Sequence, residues 1–83
     1  MMNWQDRISA DVRVCHGKPC IKGTRVMVSV VLANVAAGET YEDICDGYHI
    51  EREDIQAALY YAAAISRDQY LPFPEASHHV VQG

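Results

Sequence analysis

No apolar run in this 83-residue chain approaches the roughly 20 residues that a helix needs to cross a bilayer, so a membrane span is not expected. The first residues, MMNWQDR, put Trp4 and Asp6 where a secretory signal would need basic and then continuously apolar residues. A cytoplasmic location is expected, and reduced cysteines with it. There are no internal repeats and no low-complexity tract. Charged residues are scarce, 22% against 49% hydrophobic, which is too apolar for a disordered tail and specifies a globular chain. A chain this short makes one domain and buries only about 60–65% of its unfolded surface. Its isolated monomer is expected to be marginally stable, and a homodimer is the natural remedy.

Acidic residues are missing altogether between Val12 and Gly38, where Arg13, Lys18, Lys22 and Arg25 give a local charge of plus four. From Glu39 to Asp54 the balance reverses: seven carboxylates (Glu39, Glu42, Asp43, Asp46, Glu51, Glu53 and Asp54) face Arg52 alone, a local charge of minus six. Patches of opposite sign suit docking to another protein or to a second copy, although solvated surface would carry them equally well.

The segment HGKPCIKGTRV, His16 to Val26, combines two glycines, a proline and three basic residues. Pro19 fixes φ and removes a backbone donor, while Gly17 and Gly23 admit positive φ, so the path is that of a shaped loop. It lacks the GK[ST] ending of a phosphate-binding loop, and a turn aiming a short strand into the next helix is the better reading.

Around this loop the pattern resolves into elements. Ile8, Val12 and Val14 share one face at a period of two and predict a strand over Ile8 to Val14, with Val26 and Met27 pairing back onto it. Met27 to Ala37 predicts a helix that is apolar nearly all round and so buried on most sides. Gly38 supplies its left-handed end. Thr40 then caps a helix expected over Tyr41 to Asp46 and ended by Gly47. The carboxylates Glu51, Glu53 and Asp54 open a third helix with Ile55, Ala58, Leu59, Ala62 and Ala63 on its inner face. A short helix, a tight turn and a longer helix make the outline of a helix-turn-helix. The expected fold is mainly α: a three-helix, homeodomain-like helix-turn-helix domain over residues 1–69 with a short N-terminal β-ribbon. Residues 70–83 are expected to form an extended C-terminal arm.

Cys15, His16, Cys20, Cys45 and His49 offer thiolate and imidazole groups, but their spacing does not match the common zinc knuckles, since Pro19 interrupts one pair and Gly47 the other. No metal and no cofactor are expected. Catalysis is not expected either: a Cys–His pair would need an orienting third group and a pocket, and the carboxylates gather at helix N-termini, where capping explains them. A DNA-reading second helix would present Glu51, Arg52, Glu53 and Asp54 to the groove, and the carboxylates oppose that. Any nucleic-acid contact would fall to Lys18, Lys22, Arg25 and Arg52, and binding would be weak.

The succession GKPCIKGTRVMVSVVLANVAAGETYEDICDGY followed by EREDIQAALYYAAA resembles the bacterial domain-of-unknown-function family numbered 433, whose members include VapB-type antitoxin-like proteins. Gly23 to Arg25, Gly38 with the turn after it, and Glu53 to Leu59 carry the likeness, which spans about Ile8 to Ala64. It implies a helix-turn-helix domain behind a small β element, and a PIN-like nuclease partner that such a protein neutralises. It implies no catalytic residue. The expectation is thus a non-enzymatic antitoxin-like component, with a stand-alone DNA-binding regulator as the alternative. Partner contacts are expected from Tyr70, Leu71, Phe73, Val80 and Val81, whose apolar side chains, spaced by prolines, suit an arm laid in a groove.

Overall fold

The computed structural model describes residues 3–68. Its order is a 3-10 turn (Trp4–Arg7), β1 (Ile8–Ser9), a second 3-10 turn (Cys15–Gly17), β2 (Cys20–Ile21), and the helices α1 (Val28–Ala36), α2 (Tyr41–Tyr48) and α3 (Arg52–Asp68). The domain is mainly α with a small antiparallel ribbon near its N-terminus. The expected arm, residues 70–83, lies outside the described residues.

The ribbon is shorter and differently paired than its alternation implied. β1 stops at Ser9, and it pairs with β2 through Ile8–Ile21 and Ser9–Cys20, not with Val26 and Met27. The strand stops because Asp11 turns the chain: its carboxylate accepts from the Arg13 amide at 2.8 Å, and its carbonyl accepts from Val14 at 2.8 Å. Val12, expected on the inner face, is therefore 79% exposed. Val26 and Met27 pair with β2 instead, the Ile21 amide donating to Val26 at 2.9 Å and Met27 bridging Cys20.

α1 runs one residue inside its expected limits at each end. Its C-terminus closes as a Schellman motif, with Gly38 (φ 90°) donating to Val35 at 3.0 Å and Glu39 donating to Asn34 at 3.1 Å. Burial is one-sided: Val28 and Val31 are buried, whereas Ser29, Ala33 and Ala36 are exposed. Among the described residues α1 lacks the burial on most sides that its composition suggested.

Thr40 caps α2 by accepting from the Asp43 amide at 3.1 Å. The helix does not end at Gly47; it continues to Tyr48 because the left-handed residue is His49 (φ 58°), and the amides of His49 and Ile50 both donate to the Cys45 carbonyl. That stop delivers Ile50 into the interior, 7% exposed. The core joins Ile21, Val28, Val31, Ile44, Ile50, Ile55 and Ala58, one or more from β2 and from each helix. On α3 Ala57 is fully buried and Ala63 is exposed, so the inner face is rotated slightly from the expected one.

Candidate functional site

Two clusters bring together residues of chemical interest. The first forms where the 3-10 turn Trp4–Arg7 meets the start of α3. Trp4 packs edge-on against Tyr61 with ring centroids 5.8 Å apart. That contact places the Arg7 guanidinium over the N-terminus of α3, where Nη1 donates to Glu51 Oε1 at 3.0 Å and to Asp54 Oδ1 at 2.9 Å. The other oxygen of Asp54 accepts from the Glu51 amide at 2.9 Å, the reaching-back half of a capping box. Asp54 is consequently buried, at 8% exposure, and fully engaged. The Glu51 and Asp54 acceptors raise the pKa of Arg7 above its ordinary value, so it stays charged. Asp6, Arg7, Lys22, Glu51 and Asp54 line an open depression of about 370 Å³. Both signs meet there.

Part of the charge segregation is thus cancelled inside the chain. Arg7, which lies outside the basic stretch, takes up two of the seven carboxylates. Glu39, Glu42, Asp43, Asp46 and Glu53 remain exposed and form no ion pair among the described residues. Among the described residues Arg52 meets no carboxylate either; its guanidinium lies 4.8 Å from the centre of the Tyr41 ring.

The second cluster is the basic loop. Cys15 (φ 54°), His16 (φ 55°) and Gly17 (φ 81°) are three consecutive residues in the left-handed region, and they turn the chain so that the sulfur of Cys15 meets that of Cys20. The two form a disulfide. This corrects the expectation that all three cysteines are reduced: the turn closes the short loop tightly enough to bring the sulfurs together. Cys45 is a free thiol, half-buried on α2, and burial together with the Asp46 carboxylate pushes its pKa up. It is a thiol at neutral pH and a poor nucleophile. Lys18, Lys22 and Arg25 are all exposed on this loop and its margins. Lys22 alone among them joins the first cluster, its amide donating to the Arg7 carbonyl at 2.8 Å.

Among the described residues no group of three or more His, Cys, Asp or Glu stands in metal-holding proximity. No helix among them is long and apolar enough to cross a membrane. The arm residues Tyr70, Leu71, Phe73, Val80 and Val81 lie outside the described residues. Sequence reasoning missed Trp4, Arg7 and the burial of Asp54. The one legible signal was Glu51 followed three residues later by Asp54, a capping-box spacing with Glu in the capping position.

The fold and these clusters are those of a small helical domain with a basic loop and an acidic helix pair. The family model described as protein of unknown function, DUF433, matches residues 8–62, and the chain belongs to that family. A solved structure, Rv2018 from Mycobacterium tuberculosis, is similar at 30% identity with a TM-score of 0.61. The match covers 68% of this chain and 27% of Rv2018, so this chain corresponds to a minor part of that protein. No curated protein matches.

Proposed function

We propose that this chain is a non-enzymatic, antitoxin-like protein that binds and neutralises a small PIN-like nuclease, with α2 and the start of α3 facing the partner. One observation carries the reading: the carboxylates of Glu39, Glu42, Asp43, Asp46 and Glu53 are exposed and have no ion-pair partner among the described residues. An RNA-cutting partner needs a basic surface, and an exposed acidic band speeds encounter with one. The same carboxylates disfavour the alternative, a stand-alone DNA-binding regulator. On a helix-turn-helix reading of α2 and α3, the helix that would enter the groove opens with Glu51, Arg52, Glu53 and Asp54, and Asp54 is buried in its own cap. Lys18, Lys22 and Arg25 leave room for weak autoregulatory DNA binding, with a shallow salt dependence that replacing all three abolishes.

The test is co-purification and association kinetics with the co-encoded nuclease. Neutralising the band with Glu39→Gln, Glu42→Gln and Asp46→Asn should slow association at low salt by about tenfold while leaving helical content unchanged. An unaltered rate contradicts the role of the band. Deleting everything after Gln69 separates the band from the arm. A folded, truncated protein that no longer inhibits the nuclease makes the arm the docking element, and undiminished inhibition leaves the helical body to do the binding.

A further inference from the structure

We propose that Cys15 and Cys20 form a reversible dithiol–disulfide centre, a redox-modification site that fastens the basic loop and exchanges with small-molecule disulfides of the glutathione class. This site is independent of the nuclease-binding reading. The cross-link is local. It joins two residues of one loop, five apart in sequence, and ties together no two helices. The core of Ile21, Val28, Val31, Ile44 and Ile55 closes through apolar contact, so the bond is not a staple on which the fold depends.

The two sulfurs differ in access. Cys20 is 1% exposed in β2, whereas Cys15 is half-buried on a turn beside exposed His16 and close to exposed Lys18. An incoming reagent reaches Cys15 first. Cys20, five residues on and already within bonding reach, is placed to resolve the adduct. The reduced state also has a partner in place. Cys15 Sγ lies 3.4 Å from the Arg25 carbonyl oxygen, an acceptor for the thiol proton once the S–S bond opens. That carbonyl is positioned independently of the sulfurs, because Thr24 Oγ1 donates to Ile21 at 2.8 Å and accepts from the Val26 amide at 3.0 Å. The loop itself holds Cys15 and His16 at positive φ, which side chains with a Cβ adopt only under constraint.

The exchange balances in two steps. The Cys15 thiolate attacks one sulfur of oxidised glutathione, forming a mixed disulfide and releasing one glutathione thiolate. The Cys20 thiolate then attacks the Cys15 sulfur and expels the second glutathione, completing the Cys15–Cys20 bond. Two thiol protons pass from the protein to the two glutathione thiolates by way of solvent. The protein dithiol loses two electrons, and the reagent gains them.

The experiment equilibrates the full chain in glutathione buffers from fully reduced to fully oxidised, quenches in acid, unfolds, and counts free thiols by mass after maleimide alkylation. All three cysteines should be alkylated at the reducing end and only Cys45 at the oxidising end, reversibly, with a loss of two hydrogens and no retained glutathione. The Cys15→Ser chain should never lose two hydrogens. Hydrogen exchange supplies a readout on the backbone. The Gly17 and Lys18 amides donate to Val14 and Cys15, and they should exchange about fivefold or more slowly in the oxidised chain. A bond that persists in fully reduced glutathione overturns the proposal in favour of a fixed cross-link. Alkylation of all three thiols at every ratio overturns the bond itself, and equal exchange rates overturn the fastening of the loop.

Discussion

Asp54 is the residue on which the N-terminal turn and α3 agree. One of its oxygens satisfies the Glu51 amide and the other accepts from Arg7, all at 8% exposure. Asp54→Ala removes both at once and strands a backbone donor, so stability to urea should fall by about 1–3 kcal/mol. Asp54→Asn keeps an acceptor for the amide and should lose less; equal losses from the two variants would contradict the cap. Asp11 makes a second residue-level prediction. The Arg13 side chain and amide hold its carboxyl below the ordinary aspartate range. A depressed folded-state pKa contributes stability that is present above the unfolded value of about 3.9 and disappears as pH falls through the lowered one. Carbon NMR titration should find Asp11 ionising below the chain's exposed carboxylates, and Arg13→Ala should move it back among them.

Helix ends decide the elements. Thr40 caps α2 through the Asp43 amide, and Thr40→Ala should cost about 1 kcal/mol by thermal melting, with Thr40→Ser nearly neutral. That cap was readable from Thr40 with Asp43 three residues on, and so was the end of α1 at Gly38. The end of α2 was not. Gly47 looked like the terminator because glycine alone adopts positive φ freely, yet His49 takes that conformation and Gly47 stays helical. Ile50 supplies the reason: stopping two residues later carries its side chain into the core, and burial outweighs the strain on His49. The strand over Ile8 to Val14 failed in the same manner. Alternating Ile8, Val12 and Val14 read as period two, but the Asp11 turn bends the chain after Ser9.

At the scale of the whole molecule, α1 remains partly uncovered and Tyr60 is 57% exposed on α3. An 83-residue chain with apolar surface left over is expected to self-associate. We propose a homodimer whose seam includes the ribbon or the Tyr60 face of α3. Light scattering at micromolar concentration should give twice the chain mass, and Tyr60→Glu should shift it toward the monomer if that face is the seam. A monomer at every concentration would end the proposal. The chain's single tryptophan gives an independent probe of the N-terminal turn. Trp4 sits edge-on to Tyr61, so Tyr61→Ala should red-shift its emission while α-helical content persists.

By itself the sequence determined what depends on neighbours along the chain. Helical spacing of Val28, Val31 and Val35, the Thr40 cap, the Gly38 stop and the shaped loop through Pro19 all act within a few residues, and the three helices and the family likeness followed from them. Tertiary structure decided what depends on residues far apart. Arg7 meets Glu51 and Asp54 across 44 and 47 positions, and no local pattern records that a basic residue outside the basic stretch will take up part of the acidic band. The disulfide lies between these cases. Cys15 and Cys20 are close in sequence, but their sulfurs meet across three consecutive left-handed residues, a turn held by the Gly17 amide donating to the Asp11 and Val14 carbonyls.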